Sequence, residues 1–318
     1  MVKTIGGVYA AAITPRRADG RLDEAALANT LEFLMGRGIR GFAINGATGE
    51  YCVTTRAELG RMLSVAREAA AGRAEILCGI GSAGLCGSMA RTDVAAAHSA
   101  QALLLPMPHF FGYEQDDLES WCCTVANYSA APVLLYNLPQ FATGLEPATV
   151  LRVLANSPKV VGVKDSSGSP EILQALTAER PEARRMVGND AALAEAIRLD
   201  ICDGVISGVA CVLPELILSL FAERRRPESR EFGKHVSVLS EFLGAIGPFP
   251  VPWALKWIAE VRGLAAATFG QPLSATRVAQ GRRLQKWFER WEYAAALGGT
   301  AGPAIGHPHP ASEPDVRL

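Results

Sequence analysis

The chain has almost no net charge: 31 Lys and Arg stand against 32 Asp and Glu over 318 residues, a formal value of −1. That balance removes the long-range field with which a protein attracts DNA, RNA or an anionic membrane surface, so neither nucleic acid nor membrane is an expected partner. The densest basic cluster, Arg224–Arg226, sits between a glutamate and a proline and reads as a solvated helix end. Cysteine patterning is also missing. The seven cysteines (Cys52, Cys78, Cys86, Cys122, Cys123, Cys202 and Cys211) show no CxxC spacing and no paired histidine, so no metal site is readable. An odd number of thiols inside apolar runs points to reduced, partly buried side chains and a cytoplasmic location. Long hydrophobic runs are absent as well. Val209–Ala222 contains Pro214 and Glu215 and is too short to cross a bilayer. The apolar stretch Gly6–Ile13 is followed by Thr14-Pro15-Arg16-Arg17 instead of a small-residue cleavage site, so it reads as a first strand, not a signal peptide.

What is present is the composition of a globular enzyme, 49% apolar and 20% charged, with length enough for one α/β barrel and a small extension. Short β-like runs alternate with amphipathic helical stretches. The strand candidates are Gly7–Ile13, Gly41–Asn45, Glu75–Ile80, Ala102–Pro106, Val133–Asn137, Val160–Lys164, Arg185–Gly188 and Gly204–Ser207. Asp23, Thr55 ahead of Glu58, and Asp190 are candidate helix N-caps. Eight strand–helix alternations predict parallel strands, and a closed (β/α)8 TIM barrel is the natural count, with a doubly wound open sheet as the alternative. The β signal stops after Ser207. The expected organisation is therefore a barrel over residues 1–210, a C-terminal helical extension over 211–297, and a disordered tail over 298–318 that is rich in Gly, Pro and Ala.

In such a barrel, chemistry belongs at the C-terminal ends of the strands. Three ends carry informative residues. Val160-Val161-Gly162-Val163-Lys164 delivers an amine to the barrel mouth. Lys164 is either a snorkelling lysine paired with Asp165 or a Schiff-base nucleophile. A free lysine with a pKa of about 10.4 is only about 0.04% neutral at pH 7, and bringing it down to about 7 takes roughly 4.6 kcal/mol, which desolvation can supply. Val133-Leu134-Leu135-Tyr136 brings a phenol to the same rim: a packing residue if isolated, a proton donor or acceptor beside a reactive lysine. Gly41–Asn45 runs into Gly46-Ala47-Thr48-Gly49-Glu50, a glycine-rich turn with amides available to an anion. Glu50 after Gly49 excludes a P-loop, so a carboxylate guest fits better than a nucleotide.

Together these ends resemble the dihydrodipicolinate synthase/N-acetylneuraminate lyase family. The similarity rests on its Gly-x-x-Gly-Glu loop at Gly46–Glu50, its Tyr-Asn-x-Pro at Tyr136–Pro139 and its Gly-x-Lys-Asp/Glu-Ser/Thr at Gly162–Ser166. Gly188-Asn189-Asp190 and Asp203-Gly204-Val205-Ile206-Ser207 add two further matches in order, over about residues 5–295. The resemblance implies a class I aldolase-type lyase acting on pyruvate or another 2-keto acid and an aldehyde, with no metal or organic cofactor. It also implies a homotetramer built as a dimer of dimers. By position, Lys164 looks like the imine-forming lysine and Tyr136 the acid/base phenol. Thr48 with the Gly46 and Ala47 amides looks like the carboxylate seat, and Gly188 and the Ile206 carbonyl like pocket walls.

Three departures qualify that picture. Ala47 stands where many members carry a second hydroxyl, and Phe110 where many carry a tyrosine that completes a relay across a dimer, leaving His109 or water as substitutes. Gln140-Phe141-Ala142-Thr143-Gly144 lacks the arginine with which dihydrodipicolinate synthases hold their second carboxylate, and Phe141 cannot replace it. The resulting expectation is a 2-keto-3-deoxy sugar acid aldolase or dehydratase. The alternatives are a 4-hydroxy-tetrahydrodipicolinate (dihydrodipicolinate) synthase, a catalytically weakened keto-acid-binding relative, and an unrelated barrel in which Lys164 only pairs with Asp165.

Overall fold

A computed structural model of the chain describes residues 5–293. The tail expected over 298–318 lies outside the described residues. Eight strands, β1 (Gly7–Ala11), β2 (Gly41–Ile44), β3 (Glu75–Gly79), β4 (Ala102–Pro106), β5 (Val133–Asn137), β6 (Val160–Asp165), β7 (Arg184–Val187) and β8 (Gly204–Ser207), close into a barrel in chain order. Every neighbouring pair is parallel, and β8 returns to β1 with Val205 opposite Val8 and Ile206 opposite Tyr9. This is the (β/α)8 TIM barrel that the alternating pattern predicts.

The helices between the strands are α1 (Glu24–Gly36), α2 (Arg56–Ala70), α3 (Leu85–Ala97), α4 (Gln115–Tyr128), α5 (Pro147–Asn156), α6 (Glu171–Glu179) and α7 (Leu193–Arg198). Two of the expected caps form. Asp23 Oδ1 accepts the Ala26 amide at 3.0 Å, and Thr55 Oγ1 accepts the Glu58 amide at 3.1 Å, each satisfying a donor that the first helical turn leaves unpaired. The third does not. Asn189, not Asp190, caps the short turn before α7, accepting the Ala191 amide at 3.0 Å, and Asp190 is free to point elsewhere.

Helix α8 (Pro214–Ala222) follows β8 and packs beside β1. The helical ring therefore runs to Ala222, beyond the boundary at 210. The loss of β patterning after Ser207 marks the last strand, but a (β/α)8 ring closes on a helix. The additional helices are α9 (Arg230–Ile246), α10 (Val251–Val261) and α11 (Ala275–Arg290). Phe242, Trp287, Phe288 and Trp291 pack as an aromatic cluster between α9 and α11, with Trp287 and Trp291 stacked at 5.1 Å. Among the described residues no single helix is long and apolar enough to cross a membrane.

The core has two compartments. One lies between the sheet and the helical ring, and the other fills the barrel, where Tyr9, Ala11, Ala43, Leu77, Leu104, Leu134, Met186 and Ile206 leave no lumen. Helix α10 folds back over the mouth. The Lys256 amine, on a side chain only 1% exposed, donates to Glu50, and Thr268, just beyond α10, donates to the Arg16 carbonyl. Arg16 in turn pairs with Glu58 at 2.7 Å, so the extension is tied by buried charges to the loops after β1 and β2.

Candidate functional site

The register of β5, β6 and β7 sets Tyr136 opposite Lys164 and Lys164 opposite Met186, all facing the barrel interior. Strand pairing thus brings together a phenol and an amine 28 positions apart in sequence. Both are buried, Tyr136 at 3% exposure and Lys164 at 2%, and the Lys164 Nζ lies 3.9 Å from the centroid of the Tyr136 ring. The phenol face is the electron-rich side of the ring, so it tolerates a cation at this distance without neutralising it.

Burial dominates the electrostatics. The Lys164 amine is lowered to about 7 by desolvation, and the Asp190 carboxylate opposes that shift. The Tyr136 phenol is raised by burial, partly offset by its contact with Ser166 and by the Ala47 amide. Desolvation also raises the Asp190 carboxyl, countered first by the Ser207 hydroxyl and the Val209 amide. A neutral-capable amine and a protonated phenol side by side can attack a carbonyl and deliver the proton its oxygen needs.

Lys164 does not pair with Asp165. Asp165 turns aside to accept Asn137 Nδ2 at 2.9 Å, the Ser167 amide at 3.0 Å and the Ser167 hydroxyl at 3.0 Å. Asn137 is held in turn, its Oδ1 accepting the Leu145 amide at 3.0 Å. The conspicuous acid beside the lysine is therefore a scaffold for the loops after β5 and β6. The charge that acts on the amine is Asp190, which accepts Ser207 Oγ–H and, at 3.1 Å, the Val209 amide.

The glycine-rich turn is bracketed by two residues in the left-handed conformation, Asn45 and Glu50, each at φ 59°. Asn45 Nδ2 donates to the Gly79 carbonyl at 2.7 Å, and Thr14 Oγ1 donates to the Gly49 carbonyl at 2.7 Å, which fixes the turn from both sides. The turn brings the Ala47 amide to the Tyr136 phenol and places Thr48 Oγ1 against Gly208, near Asp190. Ala47 thus meets Tyr136, and Thr48 lies near Asp190, the charge that acts on Lys164. Gly188 follows β7 against the lysine stem, and Ile206 lies inside the barrel. Gly188 donates its amide to the Asp165 carbonyl at 2.7 Å, and Ile206 is fully buried inside the barrel. At Gly188 a Cβ would stand 2.9 Å from Lys164 Cε and collide with Ser166 Oγ, so only glycine leaves room for the lysine stem.

Three other residues expected near the site lie at its rim. Phe110 is 85% exposed at φ 93°, edge-on to Phe111 at 4.9 Å, and Phe141 is 67% exposed. Neither ring enters the pocket around Lys164. His109 is half-buried, 6.0 Å from the Tyr51 ring and edge-on to it, with its Nδ1 enclosed and unpartnered. Four members of the site were not singled out from sequence: Asp190 as a charge, and Ser166, Ser207 and Tyr51. Asp190, Ser166 and Ser207 fall inside or beside motifs already noted, whereas Tyr51 carries no sequence signal beyond following Glu50. Among the described residues no group of three or more His, Cys, Asp or Glu is placed to hold a metal ion.

Comparison with known proteins bears on this geometry. The model of the dihydrodipicolinate synthetase family matches residues 4–289. The 4-hydroxy-tetrahydrodipicolinate synthase of Xylella fastidiosa is 32% identical over 268 residues, 82% of this chain and 88% of the relative. That of Listeria welshimeri is 28% identical over 288 residues, covering 90% and 98%. Among solved structures, the dihydrodipicolinate synthase of Aquifex aeolicus superposes with a TM-score of 0.84 at 22% identity, covering 91% of this chain and 98% of that one. The Acinetobacter baumannii synthase complexed with pyruvate gives 0.78 at 25% identity, covering 89% and 98%. N-acetylneuraminate lyase from Mycoplasma synoviae gives 0.77 at 19%, covering 88% and 97%. With the family's model spanning nearly the whole described barrel and its extension, this chain belongs to the dihydrodipicolinate synthetase family and is a class I aldolase-type lyase, an enzyme that works through a lysine Schiff base.

Proposed function

We propose that Lys164 forms an imine with pyruvate or another 2-keto acid, and that the enzyme makes or breaks the adjacent bond of a 2-keto-3-deoxy sugar acid as an aldolase or dehydratase. One observation carries the reading: a lysine enclosed at a barrel mouth, lowered to about 7, beside a buried phenol. The neutral amine adds to the ketone carbon while Tyr136 supplies the proton to the ketone oxygen, which leaves as water. The iminium nitrogen then draws electrons from the neighbouring C–C or C–H bond. Thr48 with the Gly46 and Ala47 amides seats the substrate carboxylate, and the Ile206 carbonyl and Gly188 bound the pocket; holding the ketone at attack distance is itself a large part of the acceleration.

Asp190 favours a hydroxylated second substrate. Its carboxylate is the charge felt by the reactive amine, suited to sugar hydroxyls and unsuited to a second carboxylate. Phe141, exposed at the rim after Tyr136–Pro139, supplies no cation there. A 4-hydroxy-tetrahydrodipicolinate synthase is the second reading, favoured by the names of relatives 32% identical. A keto-acid-binding relative of reduced activity is the third. The seven free thiols suit a reducing cytoplasm, and a homotetramer of paired dimers is the assembly that the resemblance implies.

The test is to incubate the protein with pyruvate, reduce with borohydride and map the peptides. The expected result is a pyruvyl adduct on Lys164 that disappears in Lys164→Ala; a trapped adduct elsewhere, or none, refutes the assignment. A screen of 2-keto-3-deoxy sugar acids against aspartate semialdehyde then separates the first two readings.

A further inference from the structure

Loss of a proton from the iminium poses a routing problem. Conversion to the enamine breaks a C–H bond beside the imine carbon; its electron pair forms the C=C bond, the C=N pair returns to nitrogen, and one proton leaves the carbon inside an enclosed pocket. Tyr136, protonated at rest and left as phenolate once its proton has gone out on the departing water, is placed to receive it, and exchange of that proton with solvent needs a way out of the pocket. Neither polar neighbour noted above for its hydroxyl opens a way out. Ser166 is buried and meets no further hydrogen-bonding group beyond Tyr136, and the Ala47 amide is a donor only.

Tyr51 stands on the other side. It follows the left-handed Glu50, and its amide donates to the Gly46 carbonyl at 3.2 Å, so the same turn that seats the substrate also fixes this ring. Its side chain is 7% exposed and belongs to the barrel-interior cluster with Tyr136 and Leu138. The ring lies flat where any side chain at Gly81 would have to go, with a Gly81 Cβ reaching within 2.5 Å of Tyr51 Cε2. Burial and the nearby Tyr136 push the Tyr51 phenol up to about 12, so it is protonated and able to relay. Against it, edge-on, stands His109, half-buried, with an enclosed Nδ1 that no protein group satisfies.

We propose that Tyr51 is the second phenol of the proton path and His109 its terminus, so that this chain carries within one protomer the relay whose hydroxyls are missing at Ala47 and Phe110. As the C–H bond breaks, the Tyr136 phenolate takes that proton and, for exchange with solvent, passes it to the Tyr51 oxygen. Tyr51 releases its proton to the His109 imidazole, directly or through one water, and the half-exposed ring gives it to solvent. Bond formation at the same carbon runs the path in reverse. Tyr51 and His109 act through Tyr136 and are positioning residues.

The inference rests on Lys164 forming the imine, and the experiment separates the two. Pyruvate is incubated with enzyme in D2O, methyl exchange is followed by proton NMR, and imine is measured in parallel by borohydride trapping. Tyr51→Phe keeps the ring and removes one oxygen. It is expected to trap pyruvate as fully as the parent, with the same half-saturating concentration, while exchange slows by at least roughly tenfold. His109→Asn slows exchange as well, and the double variant is no slower than Tyr51→Phe, because the two groups act in series. Exchange within twofold of the parent with trapping intact overturns the relay, as does loss of trapping and exchange together in Tyr51→Phe, which would make the residue part of imine formation. No trapping by the parent protein refutes the functional proposal itself.

Discussion

Removing the Lys164 charge should make the protein more stable at low pH and leave it nearly unchanged at high pH. In the folded chain burial lowers the amine from 10.5 to about 7, whereas in the unfolded chain it titrates normally. Below pH 7 both states are charged and the folded one carries the whole cost of a buried ammonium. Between 7 and 10.5 the unfolded state binds the extra proton, so stability rises with pH; above 10.5 both are neutral and the cost is gone. At about 1.36 kcal/mol per decade the full cost comes to roughly 4–5 kcal/mol. Lys164→Met keeps the length of the side chain, and the comparison cancels every titration that Lys164 does not itself perturb, Asp190 being the coupled group. Urea unfolding of both proteins at pH 6 and 9.5 should give a variant-minus-parent stability that is larger at pH 6 by roughly 3 kcal/mol. The initial rate of borohydride trapping with pyruvate should climb through a midpoint near 7, the range in which the amine becomes neutral. A stability difference that changes by less than about 0.5 kcal/mol between the two pH values, with a trapping midpoint above 9, would refute the argument that desolvation activates this lysine.

Asp190→Asn removes the carboxylate that holds the Lys164 amine up, so the trapping midpoint should move below the parent's; an upward move contradicts the assigned direction. Gly188→Ala forces a methyl against Ser166 Oγ and within 2.9 Å of Lys164 Cε; stability should fall by about 1–3 kcal/mol and pyruvate trapping by at least tenfold, and trapping at the parent's rate would show that the lysine stem has room to spare. Glu50→Gln leaves the Lys256 amine buried without its counter-charge, at a cost of about 3–5 kcal/mol by urea unfolding, and adding Lys256→Met should recover most of it; no recovery would mean that the turn, not the charge, was damaged.

How far the site can be read before folding depends on what each residue's role is made of. Lys164 and Tyr136 are legible because a strand ends at each, and parallel pairing in a barrel leaves strand ends only one rim to face. The turn at Gly46–Glu50 is legible because glycines and a following strand–helix junction are local features, and Gly188 because a glycine ending a strand has to make way for something. Asp165 misleads: adjacency to Lys164 suggests an ion pair, but successive strand residues point to opposite faces, and its carboxylate serves Asn137 and Ser167. Asp190 misleads in the other direction, its cap position being taken by Asn189. Phe110 and Phe141 were expected on grounds of position alone, and their rings stay in solvent.

By itself, then, the chain's order of residues determines the alternation of strand and helix, the closure that eight such units favour, and the rim on which Lys164, Tyr136 and the Gly46–Glu50 turn must appear. These follow from periodicity, capping and turn chemistry, which act over a few neighbouring residues. Only the folded structure decides that Asp190, not Asp165, is the charge felt by the amine, and that Lys256 reaches back to Glu50. It alone decides that Tyr51 and His109 meet beside Tyr136, and that the lysine is buried deeply enough to lose its proton near neutrality. Those are consequences of distance and desolvation, and neither quantity exists until distant segments are packed against one another.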